Sequence, residues 1–127
     1  MIRMVLAVAV GGALGAVMRF LMAIQTERWL GSDFPWGTLS VNILGSLLMG
    51  ILIEASAQKF SPSPEVRALL AIGFLGGFTT FSAFALDVGL LLEKDELPRA
   101  FVYVVASVVL SIGAFFGGLS LVRAWIA

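Results

Sequence analysis

Apolar residues fill four stretches of this chain, over residues 4–24, 36–57, 66–92 and 98–122. Each supplies the roughly 20 helical residues that a hydrocarbon core of about 30 Å requires. Short punctuated links separate them: Gly31, Asp33 and Pro35 lie in the first, Ser61 to Pro64 in the second and Glu93 to Pro98 in the third. Links this short force neighbouring helices to run antiparallel, so one transmembrane domain is expected, a four-helix bundle with both termini on the same side. The third stretch is the longest and the least uniform. Within it Gly76-Gly77 is followed by Thr79-Thr80 and Ser82. A helix in lipid has to satisfy its own backbone, so such a break belongs where it faces protein or a water-filled path. The pattern therefore predicts an all-α membrane protein of four transmembrane helices with a broken third helix.

Composition narrows the function. Of 127 residues, 60% are hydrophobic and only 13% charged, too apolar for one small soluble core. The first stretch, behind Arg3, has the outline of a signal peptide, but three comparable stretches come after it, so it is expected to remain in the product. Cys and His are both absent, which removes disulfides, thiol nucleophiles and imidazole chemistry and argues against an enzyme. No run of Lys or Arg invites nucleic acid, and the formal charge is zero. The side of the bundle holding both termini carries Arg3, Lys59, Arg67 and Arg123, and the other carries Arg28, Lys94 and Arg99. Because Lys/Arg asymmetry orients membrane helices, a chain so nearly balanced is expected to insert both ways. Two oppositely inserted copies then pair as an antiparallel homodimer.

Polar residues inside the apolar stretches are the candidates for chemistry. Thr38 and Asn42 lie four apart, with Gly45 and Ser46 continuing their face. A buried amide in lipid is costly alone, so Asn42 either bridges two helices or faces a polar path. Tyr103, Ser107 and Ser111 repeat at four-residue spacing and line one helix face with hydroxyls. A serine in a membrane helix commonly bonds back to its own carbonyls, an explanation that strains when three hydroxyls fall in register. Phe74, Phe78, Phe81 and Phe84 recur at helical spacing beside Thr79, Thr80 and Ser82. Such rings usually pack, but they also carry positive edges. Hydroxyl and amide hydrogens with ring edges can replace the water of a small anion without the tight grip of a full cation.

Three GxxxG pairs, Gly11/Gly15, Gly73/Gly77 and Gly113/Gly117, are read as helix contacts rather than ligand sites. Arg19 either snorkels to the interface or draws anions to a vestibule. Glu54 and Asp87, near the ends of their stretches, are expected to reach water. No carboxylate sits at mid-membrane, which counts against a proton-coupled transporter.

Gly12 to Arg19, GALGAVMR, with Gly37 to Asn42, GTLSVN, and Gly76 to Ser82, GGFTTFS, closely resemble the Fluc fluoride channel family, also called CrcB. The resemblance covers all four stretches in order. It implies a passive, fluoride-selective channel in the bacterial plasma (inner) membrane, built as an antiparallel dual-topology homodimer with two anion pathways. By position, Phe81 and Phe84 resemble the pore phenylalanines, Asn42 the fluoride-coordinating asparagine, and Tyr103, Ser107 and Ser111 the polar track. Gly76 and Thr79 match positions whose backbone carbonyls, in both subunits, hold a structural sodium ion, and Arg19 matches a vestibule arginine. Ala83 and Ala85 depart from hydroxyl residues common in the family, and Asp87 from a glutamate. The expected fluoride contacts therefore shift toward Thr80, Ser82 and the fourth stretch, with Thr38 on the second. Competing readings are an antiporter like the small multidrug resistance transporters, whose acidic residue in the first helix is missing between Met4 and Phe20, and a non-transporting assembly subunit.

Overall fold

The computed structural model describes residues 1–126. Four helical segments, α1 (Ile2–Leu30), α2 (Trp36–Gln58), α3 (Pro64–Glu93) and α4 (Leu97–Ile126), are each long and apolar enough to cross a membrane. The helices outrun the apolar stretches because helical hydrogen bonding continues through polar flanks. Thus α1 passes residue 24 and carries on through Glu27 and Arg28. It stops at Gly31, whose φ of 88° is open to glycine and whose N–H closes on the Glu27 carbonyl at 2.7 Å. At the start of α3, Ser63 caps the Val66 N–H at 3.2 Å, Pro64 occupies the first turn and Glu65 faces the positive helix end. Residues Ala68–Leu75 then wind as a π-helix, with the Gly76 N–H reaching back to the Ala71 carbonyl.

Glycine decides which helices touch. The first half of α3, residues 64–78, packs along α1, while α2 makes its most extensive contact with α4. A Cβ on Gly73 would lie 2.9 Å from the Val8 carbonyl oxygen and 3.0 Å from Gly11 Cα, and one on Gly77 would lie 2.8 Å from the Gly12 oxygen. Backbone meets backbone there, as small-residue faces allow. Two of the three GxxxG pairs thus make the α1–α3 contact. Gly113 and Gly117 do not join a helix contact among the described residues: a Cβ on either meets nothing of them within 4 Å. The α2–α4 crossing falls instead on Gly118, turned about 100° from Gly117, and on Gly50.

The second half of α3, Phe81–Glu93, leaves α1 and packs on α4. Leu39, Phe84, Leu91, Ala100 and Tyr103 form the buried core at that end, edged by Phe34, Ile43, Val88 and Ala106. At the opposite end Arg123 Nε donates to Glu54 Oε1 at 2.7 Å and Gln58 Nε2 to the same oxygen at 3.3 Å. Glu54 is only 7% exposed, so, contrary to expectation, it does not stand free in water: its carboxylate is covered by its pairing with the exposed Arg123. Much of the remaining surface is apolar, with Leu6, Val10, Leu14, Val17 and Phe20 more than half exposed along α1. Those side chains suit lipid or another apolar partner, not water.

Candidate functional site

Helical hydrogen bonding in α3 stops at two threonines. Thr79 (φ −85°, ψ 159°) and Thr80 (φ −152°, ψ 124°) are extended, and Phe81 begins a new helical run. Every backbone group freed in lipid needs a partner, so the interruption can be followed group by group. The Thr80 N–H, which would have gone to the Gly76 carbonyl, donates to Asn42 Oδ1 at 2.7 Å, and Asn42 Nδ2 donates to the Thr80 carbonyl at 3.0 Å. The carboxamide thereby pairs with an extended backbone much as a neighbouring strand would. Thr80 Oγ1 caps the second half of α3, accepting from the Ala83 N–H at 3.0 Å and lying 3.3 Å from Ser82 Oγ. Both the N–H and the hydroxyl of Thr79 donate to the Leu75 carbonyl at 3.0 Å. Arg19 Nε donates to the Gly77 carbonyl at 3.0 Å. Among the described residues no donor reaches the carbonyls of Gly76, Phe78 or Thr79.

Beside the interruption lies a groove of about 310 Å³, lined by Asn42 and Ser46 of α2, Thr79, Thr80, Phe81 and Phe84 of α3, and Ser107 and Ser111 with Val108 and Ile112 of α4. A second groove of about 260 Å³ shares Ser46, Thr79, Ser111 and Ile112 with the first and ends against Met49 and Phe115. Ser107 Oγ and Ser111 Oγ are buried without a hydrogen-bond partner among the described residues. Other hydroxyls of this chain behave differently: Thr26 bonds back to Met22 at 2.7 Å and Ser40 to Trp36 at 2.6 Å. A buried hydroxyl left unpaired is unfavourable, and two on one groove wall call for a guest that accepts hydrogen bonds.

The four phenylalanines are split by the interruption. Phe74 and Phe78 stack at 6.2 Å along α1 and α2, away from the groove, whereas Phe81 and Phe84 lie on it with centroids 5.4 Å apart. Phe84 is 9% exposed and Phe81 78%.

Of the residues singled out by sequence, Asn42, Thr80, Phe81, Phe84, Ser107 and Ser111 converge on the groove. Tyr103, Thr38 and Ser82 do not line it. Tyr103 is fully buried behind Phe84, at 5.2 Å between centroids, and its hydroxyl donates to Asp87 Oδ2 at 2.9 Å. Ser82 is exposed beside Thr80, and Thr38 stands one turn before Asn42 on α2. Asp87 is half-buried and engaged by that phenol rather than held wholly in water. Ser46, a wall of both grooves, was visible only as a continuation of the Asn42 face. Val108 and Ile112 gave no signal in an apolar helix. Gly76 and Thr79 lie on either side of the Gly77–Phe78 turn, and Arg19 is half-buried with its Nε on the Gly77 carbonyl.

Residues 6–119 match the family model described as CrcB-like protein, Camphor Resistance (CrcB). A protein of Rhodospirillum centenum named fluoride-specific ion channel FluC is 50% identical over 98% of this chain and 99% of its own length. One of the same name from Chelativorans sp. is 58% identical over 91% of this chain and 93% of its own, and one from Nitrobacter winogradskyi 49% over 94% of both. With motif, helix order and length all in agreement, the chain belongs to the CrcB family of multi-pass membrane proteins.

Proposed function

We propose that this chain forms a passive fluoride-selective channel, not an enzyme, and exports fluoride across the bacterial inner membrane. The pair of buried, unpartnered hydroxyls at Ser107 and Ser111 carries the reading, and the names of the relatives point to the ion. Fluoride holds its water tightly and accepts several strong hydrogen bonds. Along the groove it meets the second Nδ2 hydrogen of Asn42, which the Thr80 carbonyl leaves free, then the two serine hydroxyls, with the Phe81 and Phe84 ring edges completing the shell. The uncapped N–H groups at the start of the second half of α3 add a positive pole. None of these is a full charge, so the ion is held in a series of shallow sites and released.

A single chain leaves the groove open and Phe81 largely uncovered, which supports an antiparallel homodimer in which an oppositely inserted copy closes it and doubles the pathway. Tyr103, Thr38 and Ser82 serve from behind: the phenol orients Asp87 and backs Phe84, and Ser82 steadies the Thr80 cap. In this reading α3 works as a broken helix whose two ends present opposite polarity. The end of the first half supplies the carbonyls of Gly76 and Thr79, unclaimed by any donor, and carbonyl oxygen suits a hard monovalent cation such as sodium. Two such carbonyls from each subunit would hold the ion, which supplies positive potential and a link between copies when bound.

The test is fluoride efflux from proteoliposomes with a potassium ionophore. Fast fluoride loss that requires the ionophore, without chloride loss, is expected. Flux that ignores the ionophore and follows a proton gradient would replace the channel with an exchanger.

A further inference from the structure

Arg19 is a charged side chain in the second half of α1 whose use is visible in its geometry. Its Nε–H reaches across 58 residues of sequence to the Gly77 carbonyl at 3.0 Å. The reach follows from the glycine contact. Gly12 and Arg19 are two turns apart on one face of α1, and Gly77 packs directly on Gly12. With α1 and α3 running parallel and touching there, Arg19 stands just beyond the carbonyl end of the first half of α3.

That end exposes four carbonyls whose helical donors were lost at the interruption: Gly76, Gly77, Phe78 and Thr79. Among the described residues only Gly77 receives a replacement. We propose that Arg19 is a positioning residue that decides which of these carbonyls remain available to a cation. By claiming the Gly77 oxygen it removes one potential ligand, and by tying the strand of the break to α1 it holds the Gly76 and Thr79 oxygens at one spacing. The inference rests on the sodium reading above and adds the residue that gives that site its size preference.

A simple charge effect makes a different prediction. The positive charge of a guanidinium repels every monovalent cation alike and attracts every anion alike, so it cancels in the ratio of two cation affinities. A geometric effect does not cancel, because sodium and potassium differ in the carbonyl spacing they accept. Arg19→Met removes both charge and donor, whereas Arg19→Lys keeps the charge but replaces the planar fork with a mobile ammonium.

The experiment titrates the purified full chain and both variants with sodium and, separately, potassium chloride in an N-methylglucamine background. It reads the thermal midpoint of the assembled protein and, in parallel, fluoride efflux from liposomes. In the unaltered chain sodium is expected to stabilise at lower concentration than potassium. Both variants are expected to narrow that concentration ratio by about tenfold, the scale of one charge-assisted hydrogen bond. An unchanged ratio in the variants, with or without a fall in fluoride flux, would overturn the positioning role and leave Arg19 a charge for anions. Should Arg19→Met fail to assemble, the ratio in Arg19→Lys decides by the same criterion. If the unaltered chain shows no cation-dependent midpoint at all, the sodium site and this inference fall together, while fluoride efflux is judged separately by the ionophore.

Discussion

Two serines, at 107 and 111, separate a pathway from a packing face more clearly than any aromatic does. A hydroxyl that contributes to folding has a partner, as Ser40 and Thr26 have in the carbonyl four residues back. Ser107 and Ser111 have none, so removing them deprives the fold of nothing. Ser107→Ala and Ser111→Ala are expected to melt at or above the temperature of the unaltered chain, since an unpaired buried polar atom is lost, while fluoride efflux falls by about tenfold, one hydrogen bond to an anion. A drop in melting temperature with unimpaired flux would make them structural. Their four-residue spacing was legible in the sequence, and so was their pairing with Tyr103. What the spacing could not tell is that Tyr103 stops short of the groove. The bulk of Phe84 intervenes, and the phenol turns to Asp87, sixteen residues away on another helix.

At the scale of elements, α3 behaves as two pieces with separate allegiances, one on α1 and the other on α4. The first depends on bare backbone. Gly15→Ala places a methyl against the Phe74 carbonyl, which cannot yield without moving a helix, and is expected to destabilise by about 1–3 kcal/mol. Gly117→Ala, with open space around it, should leave the packing of the single chain intact. Equal losses in thermal or denaturant melts would show that the α1–α3 contact is not set by glycine. Hydropathy was enough to locate all four spans, because twenty apolar residues in a row admit few other readings. Gly76 and Gly77 are themselves helical, and the extended backbone falls on the two threonines that follow them. The π-helical winding of Ala68–Leu75 left no mark, since the residues there are ordinary apolar ones. Nor did the Asn42–Thr80 pairing, which joins residues 38 apart and is set by how α2 crosses the interruption. The choice between bridge and pathway for Asn42 was open in the sequence because its amide has enough atoms for both.

For the molecule as a whole, the near balance of Lys and Arg across the two faces is what an oppositely inserted pair requires. The absence of cysteine makes this measurable with one reporter. Ser61→Cys, in the exposed link between α2 and α3, is expected to react with a membrane-impermeant maleimide in about half of the chains in intact cells, and in all after permeabilisation. Labelling of nearly all or none would mean a single orientation and would remove the antiparallel dimer. The way Asn42 is held limits evolvability. One carboxamide both closes the backbone of the interruption and faces the groove, so its position is constrained: aspartate lacks the donor for the Thr80 carbonyl, serine lacks the length, and glutamine carries the same pair of atoms on an arm one methylene too long for the same reach. Ser107 and Ser111 carry no such second duty. Lineages that retune ion preference or speed on this scaffold have their freedom on α4, where a residue can change its chemistry without asking the fold to follow.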